Sequence, residues 1–270
     1  MDFTLIAYKL LLDSLGNHGF QFQTFADFIK NPEKKAIILR HDVDERPQNA
    51  LKMAQVEHRM GIRATYYFRI LKISNAPEVI TEITRMGHEI GYHYEDLALA
   101  GGDLETAIKR FSQNLAYFRK FYPVKTICMH GSSMSPHDNR LLWRHYDFKD
   151  FGIIGEPYFS LDYNEVFYLT DTGRCWDGGK YSVRDNVQNR VQMSFHKTSD
   201  LLRAAERGAL PGKILLQSHT LWTDSMIEWL WLEVREQSSG RLKVAIAKTP
   251  WLKDLAYKII AIYSKSKQAQ

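Results

Sequence analysis

A chain of 270 residues with 44% hydrophobic content can bury one large core, and α/β barrels of this length often remain single domains. Its net charge of +5 is mild, the Lys and Arg are dispersed, and no nucleic-acid motif accompanies them, which argues against DNA or RNA as a partner. The two cysteines, Cys128 and Cys175, read as reduced interior or rim positions, and no repeat or low-complexity tract divides the chain.

The chain opens without a basic region followed by an apolar one. Residues 1–16 instead read as a short amphipathic helix with Leu5, Tyr8, Leu11 and Leu12 at helical spacing, and the expected location is cytoplasmic. The apolar run Ala36-Ile37-Ile38-Leu39 reads as a buried parallel strand, closed by Arg40-His41-Asp42-Val43-Asp44. Two carboxylates so placed repel one another unless a cation neutralises them, which is what a metal-plus-base site requires. The competing reading is an ordinary strand-end turn, where Asp bonds its own backbone. A helix follows from Pro47 to Glu57 and stops at Gly61. Ala64 to Ile70 reads as a strand, a helix of about ten residues ends near Gly87, and residues 88–95 form a third strand with its exit loop. Strand–helix alternation of this kind implies right-handed crossovers and a parallel sheet.

Three motifs in this order resemble the polysaccharide deacetylases of the NodB-homology type, carbohydrate esterase family 4. They are Arg40-His41-Asp42-Val43-Asp44, Gly87-His88-Glu89-Ile90-Gly91-Tyr92-His93 and Leu215-Leu216-Gln217-Ser218-His219. The resemblance implies a distorted (β/α) barrel of about seven parallel strands and metal-dependent hydrolysis of N-acetyl groups on amino sugars. It makes Asp42 the counterpart of the catalytic base, Asp44 of a metal-binding carboxylate, His93 of a metal-binding histidine, and His219 of the histidine that protonates the leaving amine. Departures accompany the match. Val43 separates the usually adjacent aspartates, and Leu97 stands where the family has its second metal histidine. An Arg-Pro-rich segment is replaced by Cys128-Met129-His130-Gly131-Ser132.

Three residues compete for the missing ligand. Glu95 lies two residues from His93 on the same side of an extended segment and ranks first; His130 ends a strand-like run and is a ligand or a substrate contact; Asp96 requires a helical turn after His93. Oxygen and imidazole donors suit one divalent ion, zinc above all, with cobalt, nickel, iron or manganese as alternatives. His88 reads as a hydrogen-bonded packing residue, and His137 and His145 receive no role.

The loop from Asp171 to Gly179 offers Arg174 and Trp176 as substrate contacts, Arg174 either orienting Asp42 or binding an anionic group. A turn-rich loop with one packed Trp explains the same residues equally well. Trp222 is a second candidate sugar platform or a barrel cap. The barrel domain is expected over residues 1–240, with a helix over 225–235 ended by Ser239 and Gly240. Residues 241–270 form a second segment whose stretch 251–263 is amphipathic and lysine-flanked, suited to packing on the barrel, on a second subunit or on an anionic membrane surface. The expected function is deacetylation of an acylated amino sugar, nucleotide- or lipid-linked, in the assembly of a surface polysaccharide. The alternatives are a sugar-binding pseudoenzyme, metal-free acid–base catalysis, and hydrolysis of a formamide or cyclic amide.

Overall fold

The computed structural model describes residues 1–131, 135–176, 187 and 193–248, with side chains in the last helix described up to residue 236 and at 238. Among the described residues seven strands form one sheet: β1 (Gln21–Gln23), β2 (Ala36–Val43), β3 (Thr65–Phe68), β4 (Glu89–Tyr94), β5 (Ile127–Met129), β6 (Phe167–Thr170) and β7 (Lys213–His219). Their order is β5-β4-β3-β2-β7-β6, and every pairing is parallel. β2 is the centre. Along one flank it pairs first with β1 at residues 36–38 and then with β3 at residues 40–43; β7 runs along the other. Parallel neighbours need crossovers, and the helices Pro47–Arg59, Pro77–Arg85, Leu104–Phe118 and Thr198–Glu206 provide them.

The two faces of the sheet separate by residue parity. Ile37, Leu39, Val43, Ile90, Tyr92, Ile214 and Leu216 face the helices and belong to the larger core. Ala36, Ile38, Tyr67, Cys128, Tyr168 and Leu215 face inward and form a second cluster. Cys128 lies on edge strand β5 and Tyr168 on edge strand β6, so the sheet is curled until its two edges share one interior. The edges do not pair with each other among the described residues, which leaves a half-barrel rather than a closed one. Gly91 marks the tightest point inside. A Cβ there would lie 2.2 Å from the Tyr67 ring, so only glycine lets the ring lie across β4.

A buried polar network lies between the outer face and the helices. Glu57 accepts from Tyr8 at 2.5 Å and Tyr66 at 2.8 Å, and its Oε1 lies 2.7 Å from His41 Nε2. His88 packs beside it. The Ala64 N–H donates to its Nδ1 at 3.1 Å, so Nε2 carries the proton and donates to the Ala54 carbonyl at 3.1 Å. Burial holds His88 below the usual imidazole range, as suits a packing residue.

Two elements differ from expectation. The last helix does not end at Ser239 and Gly240 but runs Met226–Lys248. A glycine inside a helix costs only about 1 kcal/mol, too little to stop a helix that continues on both sides. β1 is a three-residue strand with no periodic signal of its own. The segment 251–263 lies outside the described residues. No helix among the described residues is long and apolar enough to cross a membrane.

Candidate metal and acid–base site

Asp42, His93 and His219 stand on the inward parity at the carboxyl ends of their strands, and Asp44 and His130 extend the same rows just beyond β2 and β5. Strand register does the rest. Asp42 lies opposite His219 across β2 and β7, and His93 lies opposite Cys128 across β4 and β5. Residues distant in sequence therefore meet at one rim.

Asp42 is gripped from below. Arg40, two residues earlier on the same face, donates from Nε to Oδ1 at 2.8 Å and from Nη2 to Oδ2 at 2.6 Å, and Gln217 Nε2 donates to Oδ2 at 2.9 Å. Burial favours the neutral acid, but Arg40 and His93 outweigh it and hold Asp42 below the usual carboxylate range. Across the cleft, Asp171 Oδ1 lies 2.8 Å from His219 Nδ1 and accepts the His219 backbone N–H at 2.8 Å. Its Oδ2 accepts from Ser218 and Trp222 Nε1, both at 2.8 Å, so the carboxylate is fixed. Burial opposes a charged His219, yet Asp171 prevails, with Asp44 and Asp42 adding to it, and the imidazole is pushed up to about 10.

Asp44 Oδ1 lies 3.4 Å from His93 Nε2 and 3.6 Å from His130 Nε2. That buried oxygen has no hydrogen-bond partner among the described residues. Donors bound at the usual zinc distances to a tetrahedral ion sit about 3.4 Å apart, so Asp44 Oδ1 is spaced to share a cation with either imidazole. Both rings are anchored through their other nitrogen: His93 Nδ1 lies 2.9 Å from the Cys128 carbonyl, and His130 Nδ1 lies 3.1 Å from Glu95 Oε2. Such an anchor leaves Nε2 as the metal-facing donor. Burial raises Asp44, but His130 and His93 hold it well below its ordinary value. Burial likewise lowers His130, and Asp44 and Glu95 raise it above the ordinary imidazole range.

A second donor set, Asp42, His93 and Cys128, has its atoms within 4.8 Å of one another. The Arg40 guanidinium on both oxygens of Asp42 opposes a cation at that point, whereas Asp44 Oδ1 faces two imidazoles and no guanidinium. Asp42, Asp44, Glu45, Thr172, Gly173, His219, Thr220, Arg235 and Glu236 line a cleft of about 340 Å³. A larger groove of about 750 Å³ lies at the opposite end of the sheet, beside Phe20, Gln21 and Ile62, and none of these carboxylates or histidines lines it.

Several sequence expectations find a different place. Glu95, ranked first for the missing ligand, commits both oxygens to Arg69 at 2.7 and 2.8 Å, and His130 takes the position beside Asp44. Asp96 turns to Tyr92 and Asn114, each at 2.8 Å, and burial pushes it up to about 7. Arg174 does not reach Asp42, whose partner is Arg40; it donates to the Leu221 carbonyl at 2.6 Å and pairs with Glu233 at 3.1 Å. Trp176 and Trp222 are 3% and 0% exposed, so neither offers a ring face to a sugar. Their indole nitrogens donate inward, to Thr198 at 2.9 Å and to Asp171. Residues 132–134 and 177–186, which include Ser132 and Gly179, lie outside the described set.

Sequence reasoning missed Arg40, Gln217 and Asp171, and also Arg235 and Glu236 from the last helix. The first two carried a signal: each stands two residues before a site residue on a strand, hence on the same face. Arg235 and Glu236 carried none, because their place depends on how the helix Met226–Lys248 crosses the cleft.

No family model and no curated protein matches this sequence. Solved structures do resemble it at low identity. One is a mutant of a CE4-family pseudoenzyme with restored enzymatic activity, at TM-score 0.44 and 12% identity, covering 78% of this chain and 65% of that one. This chain thus spans just under two thirds of that neighbour. Another is the CE4 domain of a multidomain xylanase from the hindgut metagenome of Trinervitermes trinervoides, at TM-score 0.39 and 14% identity, covering 77% and 85%. A third is Bacillus subtilis PdaA, a family 4 carbohydrate esterase, at TM-score 0.39 and 13% identity, covering 86% and 84%. The likeness is one of fold.

Proposed function

We propose that this protein is a metal-dependent amide hydrolase that removes the acyl group from an N-acylated amino sugar. The observation that carries the reading is the orphaned Asp44 Oδ1, set 3.4 and 3.6 Å from two anchored imidazoles beside a separate carboxylate and a separate charged histidine. Asp44, His93 and His130 would hold the ion, and nitrogen and oxygen donors in this number suit zinc. A divalent ion held there supplies the Lewis acidity that lowers the pKa of a water and polarises the acyl carbonyl.

The chain's own groups account for the proton movements. Asp42 stays ionised under the Arg40 guanidinium and receives the proton released as water attacks the carbonyl carbon. His219, kept charged by Asp171, gives a proton to the nitrogen as the C–N bond breaks. The products are a free amine and a carboxylate. The cleft of about 340 Å³ suits a single acylated sugar unit. A precursor of a surface glycan, nucleotide- or lipid-linked, is the substrate class we assign.

The test is incubation of the zinc-loaded protein with N-acetylated amino sugars, measuring acetate and free amine together. Equal release of both, lost in Asp42→Asn, is the expected result. Formate from N-formyl sugars without acetate from N-acetyl sugars would transfer the assignment to a different acyl group.

A further inference from the structure

Three adjacent strands each place one charged or ionisable residue just beyond their carboxyl ends: Arg69 after β3, Glu95 after β4 and His130 after β5. These three side chains are joined in series. Arg69 donates from Nε and Nη2 to the two oxygens of Glu95 at 2.7 and 2.8 Å, and Glu95 Oε2 lies 3.1 Å from His130 Nδ1. The pair is largely buried, at 14% and 5% side-chain exposure.

His130 needs such support. Two bonds hold its backbone, from its N–H to the Tyr94 carbonyl at 2.9 Å and from Asn139 Nδ2 to its own carbonyl at 3.0 Å, but neither fixes the ring, which could otherwise turn about two torsions. His93, inside β4, is anchored to a backbone carbonyl instead. An imidazole that donates Nδ1–H to a carboxylate has its tautomer fixed, with the Nε2 lone pair outward, and becomes a stronger ligand. Arg69 matters in a second way. It fixes the Glu95 carboxylate in one plane and balances its charge, so the ring is oriented without adding net negative charge beside Asp44.

We propose that Arg69 and Glu95 are positioning residues that aim His130 Nε2 at Asp44, letting a histidine from β5 stand in for the ligand that Leu97 cannot supply. The inference rests on the metal-site reading above. The competing role is a brace between β3 and β4 that stabilises the fold and leaves metal affinity alone.

The experiment is zinc affinity of the full-length chain by competition with a chelating dye, for wild type, Glu95→Ala, Glu95→Gln and His130→Ala. Alongside it, ring ¹⁵N–¹H correlation spectra of the zinc-loaded proteins report the His130 Nδ1–H. Glu95→Ala is expected to weaken zinc binding by about 10- to 100-fold and to lose the protected Nδ1–H signal. Glu95→Gln keeps an acceptor oxygen and should recover most of both. If Glu95→Ala folds poorly, the double change Arg69→Met, Glu95→Leu removes both charges and the acceptor oxygen and carries the same expectation of weakened binding. Zinc affinity within about twofold of wild type in Glu95→Ala, with affinity lost in His130→Ala, would overturn the positioning role and leave the metal site standing. Wild-type affinity in His130→Ala would overturn both.

Discussion

Arg40 and Asp171 set the charge states of Asp42 and His219, the two groups to which the proposed reaction assigns the proton transfers. Arg40 keeps Asp42 an anion, and Asp171 keeps His219 a cation. Asp44, in the proposed reading, would hold the ion instead, and the two aspartates would divide by role. Asp44→Ala is expected to abolish metal binding, whereas Asp42→Asn retains the metal and loses turnover; elemental analysis beside an activity assay separates the two. For Asp171→Asn the pH dependence is the readout. His219 is raised from an ordinary value near 6.5 to about 10 in the folded chain, so its contribution to stability is complete below pH 6.5 and is lost as pH rises towards 10. Unfolding titrations of the metal-free protein should therefore show stability falling across that interval in wild type and a flatter profile in Asp171→Asn. A profile unchanged by the substitution would remove Asp171 as the cause.

Strands place these residues by two rules, alternation along each strand and register between strands. The interior packing that enforces the register is tight at Gly91, where an added methyl meets the Tyr67 ring. Gly91→Ala should cost about 1–3 kcal/mol in urea unfolding, since neither the ring nor β4 has room to retreat. Alternation was legible in the sequence: Asp42 and Asp44, or His93 and Glu95, share a face because they are two apart. Register was not. Nothing local says that Cys128 lies beside His93, and without that pairing the reach of His130 to Asp44 is invisible, so Glu95 looked the nearer donor. The two tryptophans misled for a related reason. Their place beside the motifs was clear, but their burial against Phe3 and Tyr8 depends on the first helix folding across that end of the chain.

At the scale of the whole molecule, the parallel sheet follows from the apolar runs and the helices between them, whereas its barrel-like curl was anticipated only through the family resemblance. The closure of the site was not. The helix Met226–Lys248 is tied to the loops beyond the strands by Arg46 to Glu228, Arg235 to Glu45 and Arg174 to Glu233, and it brings Arg235 and Glu236 to the cleft wall. Four carboxylates, Asp42, Asp44, Glu45 and Glu236, face this cleft against two cations, Arg235 and His219. A divalent ion would balance that excess, which is the same conclusion that the geometry around Asp44 supports on its own.

On the proposed reading, Asp44, His93 and His130 together hold one metal ion. Elemental mass spectrometry of protein purified without chelators or a metal-affinity tag tests it most directly, on wild type and His130→Ala in parallel. Near one zinc or similar divalent ion per chain in wild type, and a large loss in His130→Ala, is the predicted result. Absence of metal in wild type after incubation with each ion, or full occupancy in His130→Ala, would contradict it.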